Sequence, residues 1–155
     1  MRADPIPATI WLVIDRLPRG ALVLVVALAG ACSGGDEKDS AFCRSARQSV
    51  PRMESAYATL SESAQGAGRV DLEEARGEYA ASIQAVVETL DRPPEEIGTD
   101  AGATAEGLRQ QLAAVSSVEP GSPPAPFPAD RHTAAARVDT YLRATCEVPA
   151  SVMPR

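Results

Sequence analysis

From Phe42 onward, apolar and small residues recur every three or four positions in four separate blocks, and no stretch alternates apolar with polar at a period of two. That spacing lays one apolar stripe along each of four helices and provides nothing from which to build a sheet. The clearest block is Leu72, Ala75, Tyr79, Ile83, Val86 and Leu90, with Pro93-Pro94 to stop it. Asp71 with Glu74 three places on has the form of a capping box, aspartate standing at the cap. Gly77 costs roughly 1 kcal/mol there relative to alanine and predicts a close helix contact.

The other three blocks carry more interruptions. The first runs through Phe42, Ala46, Val50, Met53, Tyr57, Leu60 and Ala64, with Asp39 or Ser40 available as cap and Gly66-Ala67-Gly68 at its end. Pro51 predicts a kink or break near Ser49 and Val50. The third comprises Ile97, Ala101, Ala105, Leu108, Leu112 and Val115. Gly98, Gly102 and Gly107 weaken its start, so a firm helix is expected only from near Thr104. Residues 119–128 are half proline and read as a semi-rigid connector. The fourth block is Ala135, Val138, Tyr141, Leu142 and Cys146, with Asp130 as its expected cap and Pro149 as its stop.

Ahead of these blocks the chain has a different character. Arg16 and Arg19 precede an apolar run over residues 21–28, then Ala29-Gly30-Ala31 and Cys32. A basic lead, a short apolar core and small residues are the parts of a secretory signal. The run is far short of the roughly 18–20 residues that span a bilayer. Residues 1–31 therefore read as a signal peptide. Ala29-Gly30-Ala31-Cys32 resembles the bacterial lipobox, although that motif usually has leucine where Ala29 stands. The resemblance implies that Cys32 receives a diacylglyceryl group and becomes the first residue of the mature chain, held to the membrane by its acyl chains. The same small residues fit an ordinary signal-peptidase site, so plain secretion is the alternative. Residues 32–39 form a polar tether. Its seven residues after Cys32 reach about 25 Å when extended, which keeps the domain beside the membrane.

Removal of the leader leaves 124 residues, enough for one domain over residues 40–148 with a disordered tail over residues 149–155. The mature chain carries 12 basic and 19 acidic residues, a net charge of −7 that disfavours nucleic acid and anionic lipid surfaces as partners. Three cysteines in an exported chain leave one over, and lipidation accounts for Cys32. Cys43 and Cys146 then remain to pair in an oxidising compartment. Four helices joined by short connections stack up-down-up-down, which sets the start of the first beside the end of the last. Those are the positions of Cys43 and Cys146. An all-α four-helix bundle, with one disulfide joining the first and last helices, is the expected fold. Large apolar residues number about four per helix, so the bundle leans on that bond.

Motifs of catalysis are missing. The single histidine, His132, reads as a surface residue in the first turn of a helix. There is no Glu-x-x-His pair for a di-iron site, no haem-attachment or zinc motif, no nucleophile elbow and no phosphate loop. Neither a metal nor another cofactor is expected. Glu73, Glu74, Glu78, Glu95 and Glu96 cluster, and a solvated helix face explains them better than a cation site. Tyr57, Tyr79 and Tyr141 fall on apolar stripes and would line a pocket if their hydroxyls converged.

The layout resembles the small secreted or lipid-anchored helical lipoproteins of GC-rich Gram-positive bacteria. The residues that carry it are Ala29 to Cys32, Ala41-Phe42-Cys43, and Tyr141-Leu142-Arg143-Ala144-Thr145-Cys146. Glycine often follows that last cysteine in such proteins, and here Glu147 stands in its place. The resemblance implies the compartment and the disulfide, not an activity. The expected function is a non-enzymatic accessory or interaction module on the outer face of the cell membrane, with an envelope protein as its partner. The alternative is a small-molecule carrier or sensor with a pocket between the helices. An exposed apolar patch would favour the first, a tyrosine-lined cavity the second.

Overall fold

Each helix starts where a side chain or a tight turn can satisfy its first free N–H groups. In the computed structural model, which describes residues 40–153, α1 spans Ala41–Ala64, α2 Leu72–Leu90, α3 Gly98–Val115 and α4 His132–Thr145. The expected signal peptide over residues 1–31, the lipidation site Cys32 and the tether lie outside the described residues. Ser40 caps α1, its Oγ accepting the Cys43 N–H at 3.1 Å. Asp71 caps α2, its carboxylate accepting the Glu73 N–H at 2.8 Å. After α1 the chain reverses through Gly66, whose φ of 73° is the left-handed conformation that glycine adopts without strain.

Three local expectations need correction. Pro51 neither ends nor splits α1, which runs through it for 24 residues. Pro51 lies on the exposed side of the helix. α3 begins at Gly98 rather than near Thr104, entered through a single 3-10 turn at Glu95–Ile97. Ile97 and Ala101 are both buried there, and that packing outweighs the glycine cost. Asp130 does not cap α4. It sits inside a second 3-10 turn, Ala129–Arg131, and its carboxylate lies 3.3 Å from Arg131 Nε.

The helices pack in chain order, α1 on α2, α2 on α3 and α3 on α4, while α4 touches α1 only lightly. The seam between first and last is closed covalently. Cys43 and Cys146 form a disulfide, with Cα atoms 4.9 Å apart and both residues wholly buried. Arg47 Nε donates to the Cys146 carbonyl at 2.8 Å, and the Phe42 and Tyr141 rings meet edge to face at 6.1 Å. The four-helix bundle with its first and last helices joined is thus the observed fold. Met53, Leu60, Tyr79, Ile83, Leu108 and Leu142 form the largest part of its core.

Two stretches outside the helices add to that core. The proline-rich connector lies against the bundle. Phe127 is buried, Gln111 Nε2 donates to the Ala125 carbonyl at 3.2 Å, and the Gly121 N–H donates to the Ala64 carbonyl at 2.6 Å. Gly107 makes the seat, since a Cβ there would stand 2.6 Å from Phe127 Cζ. The close contact expected at Gly77 is absent, for a Cβ built at Gly77 meets nothing within 4 Å.

The tail expected from residue 149 onward is the other correction. Val148, Ala150 and Val152 are buried, and the Asp139 carboxylate holds the segment down. One of its oxygens accepts the Val152 N–H at 2.9 Å, and the other accepts the Ser151 hydroxyl at 2.6 Å. A buried carboxylate is costly unless hydrogen-bonded, and the segment provides those donors. The domain therefore extends to at least residue 153.

Candidate functional site

The tyrosines expected to line one pocket stand in two places. Tyr57 and Tyr79 pack edge to face with ring centroids 5.5 Å apart, whereas Tyr141 packs on Phe42. Phe42 and Tyr57 are fifteen residues apart on α1, roughly 22 Å along its axis. The Tyr79 hydroxyl points at Gln111 Oε1 at 3.5 Å. Burial, with Tyr57 adding to it, pushes the Tyr79 hydroxyl far above the ordinary tyrosine range. The space beside it, bordered by Leu60, Gln111, Val115 and Val118, has no room for a water molecule. It is a packing gap, and the pocket expected around the three tyrosines does not form.

An open groove lies elsewhere, between the N-terminal half of α1 and the C-terminal end of α2. Its volume is about 730 Å³, within the range of small-molecule sites. Helical spacing explains the lining. Ala41, Ser45, Gln48, Ser49 and Arg52 recur on one face of α1, and Ala85, Glu88 and Thr89 on the facing side of α2, with Arg92 in the turn just beyond it. Ala41, Ser45, Ser49, Ala85 and Thr89 are the small members of this lining and leave open space between the helices. Ser45 Oγ meets Thr89 Oγ1 at 2.8 Å, and Ser49 Oγ lies 3.3 Å from the same atom. Ser49 donates to the Ser45 carbonyl and Thr89 to the Ala85 carbonyl, so the hydroxyls tie the two helices together at the groove wall.

The groove's charge is unlike that of the chain as a whole. Asp91 is held by Arg109, which donates to both of its carboxylate oxygens at 2.7 and 2.9 Å. Glu88 is left as the one uncompensated acid in the lining, against Arg52 and Arg92. Neither arginine side chain makes an ion pair or hydrogen bond among the described residues. The lining itself is balanced, two arginines against two acids, in a chain of net charge −6, and with Asp91 tied to Arg109 its two guanidinium groups face the single carboxylate of Glu88.

The remaining candidates are structural. His132 stacks on Phe127 and its Nε2 donates to the Phe127 carbonyl at 3.1 Å, which fixes the entry to α4. Of the acidic cluster, Glu73 pairs with Arg76, which also donates to the Val118 carbonyl. Among the described residues no group of three or more His, Cys, Asp or Glu is placed to hold a metal ion, and no helix is long and apolar enough to cross a membrane. All their Leu, Ile, Val, Met and Phe side chains are buried or half-buried. What they present outward is alanine, proline and polar groups. The groove was not legible beforehand, because Ser45, Ser49 and Thr89 read as ordinary polar positions until the pairing of α1 with α2 brings them together. Comparison with family models, curated proteins and solved structures finds no match to this chain.

Proposed function

We propose that this chain is a lipid-anchored, extracytoplasmic module of the cell envelope that works by binding rather than by catalysis. The observation that carries the reading is the wholly buried Cys43–Cys146 disulfide, which closes a loop of 103 residues. Such bonds persist in oxidising compartments and are rare in reducing ones. Joined to the leader and the small residues before Cys32, it supports export followed by anchoring at that thiol. Mass spectrometry of the native protein is expected to find diacylglyceryl-modified Cys32 at the mature N-terminus. An unmodified Cys32 terminus would leave plain secretion, and an uncleaved chain would overturn the extracytoplasmic placement.

The partner is expected to be an envelope protein, engaged through a polar face. A photo-cross-linker at Gln48, in the groove, should capture it in the native envelope, and one at the exposed Ala113 on α3 should not. The groove between α1 and α2 also favours a second reading, a carrier or sensor of a small molecule. Its volume and hydroxyl-bearing walls suit a polar ligand.

A further inference from the structure

The charge layout of the groove goes beyond its presence. The Ser45–Thr89 bond fixes the register of the antiparallel pair α1 and α2. Arg52 lies seven residues beyond Ser45, about 10 Å along α1, and Arg92 lies three beyond Thr89, in the turn just past the end of α2 and in the opposite direction. The two arginines, whose guanidinium groups make no ion pair, thus bracket the groove, their Cα atoms more than about 10 Å apart along its length. Between them stand the exposed Ser45 and Gln48, which offer hydrogen bonds, the buried hydroxyls of Ser49 and Thr89, and Glu88, which repels negative charge. Asp91 is withdrawn from this balance by its two bonds to Arg109. A ligand matched to this order is negative at both ends and neutral in the middle.

We propose that the α1/α2 groove binds an elongated dianion, one anionic group on Arg52 and the other on Arg92, with an uncharged centre over the hydroxyl row. This rests on the second reading above, a carrier or sensor of a small molecule, and names the ligand chemistry its groove accepts. Both arginines are exposed, so the attraction is screened and weakens as salt rises. A carboxylate and a phosphate present the same acceptor geometry to a guanidinium, and both belong to the class.

The test is an amide NMR titration of the full chain with suberate, with its monoamide and with the shorter dianion succinate. Suberate is expected to shift the amides of Ser45, Gln48, Arg52, Glu88 and Arg92, and to bind about tenfold more tightly than either control. Arg52→Gln and Arg92→Gln should each reduce suberate to the affinity of the monoamide. Their melting temperatures should match the parent, since both side chains are exposed and neither makes a hydrogen bond or ion pair. Equal affinities for suberate and its monoamide would overturn the two-ended site while leaving a binding module in place. Shifts confined to residues outside the groove would overturn the site itself. The anchored-module reading fails separately, on the state of Cys32.

Discussion

Replacing each of three helical glycines by alanine separates backbone preference from packing. Alanine in a helix interior is favoured over glycine by about 0.8–1.0 kcal/mol, because it restricts the unfolded chain and covers the backbone. At Gly77 in α2 and Gly102 in α3 a new Cβ meets nothing within 4 Å. Gly77→Ala and Gly102→Ala should therefore gain close to that full amount. Gly107 has the same backbone preference and a different outcome. Its Cβ would stand 2.6, 3.0 and 3.3 Å from three atoms of the Phe127 ring. The ring is buried, flanked by Pro126 and Pro128, and stacked on His132 at 6.0 Å, so it has little freedom to retreat. Overpacking of this kind costs about 1–3 kcal/mol. Set against the propensity gain, Gly107→Ala should range from neutral to about 2 kcal/mol destabilised, leaving it about 1–3 kcal/mol below Gly77→Ala. Urea unfolding followed by far-UV circular dichroism, at constant m-value, reads the difference directly. In the Phe127→Ala background the penalty at Gly107 should vanish, and the double-mutant cycle should return it as coupling energy. A stabilised Gly107→Ala variant would refute the seating of the connector on α3.

Three further outcomes follow from other parts of the fold. Reducing the Cys43–Cys146 bond, or replacing both cysteines by serine, should lower stability by up to about 4.7 kcal/mol on the chain-entropy model for a loop of this length; urea midpoints with and without reductant check it, and an unchanged midpoint would show that the bond constrains nothing. Asp139→Ala strands the buried Val152 N–H and frees the segment after residue 147, at a cost of about 2–3 kcal/mol and with amide exchange at Val152 rising sharply; an unaltered exchange rate there would remove Asp139 from its role as latch. Tyr79 has a folded-state pKa above its unfolded value, so its contribution is fully present below about pH 10 and is lost as the pH climbs beyond it; Tyr79→Phe should flatten that alkaline decline in urea midpoints, and parallel declines for both proteins would assign it to other groups.

Helix number and type were readable because the apolar stripe of each helix is written in consecutive local spacing. Leu72 to Leu90 shows this best: the block and α2 coincide, and Asp71 caps it as its side chain predicts. The disulfide was readable for a related reason, since two cysteines at opposite ends of the helical region become neighbours once the helices alternate in direction. What could not be read depends on contacts between segments far apart in the chain. Gly107 weakens α3 on propensity alone, and only the ring of Phe127 twenty residues later explains why glycine stands there. Asp139 reads as a charged position on α4 until the chain turns after Cys146 and brings Ser151 and Val152 to it. The groove is of the same kind, a product of the register between Ser45 and Thr89.

The turn after Cys146 joins both kinds of information. Glu147 has a φ of 57°, the left-handed conformation that commonly ends a helix and that glycine adopts at least cost. The Cys146 and Val148 N–H groups both return to the Leu142 carbonyl across it, so the backbone is committed to that geometry. A residue with a Cβ held there is strained by about 1–2 kcal/mol. The disulfide at Cys146, the buried Val148 and the Asp139 latch hold the turn from both sides, and they stabilise the chain by more than the strain costs. The end of α4 is therefore fixed by what lies around Glu147, against the preference of Glu147 itself.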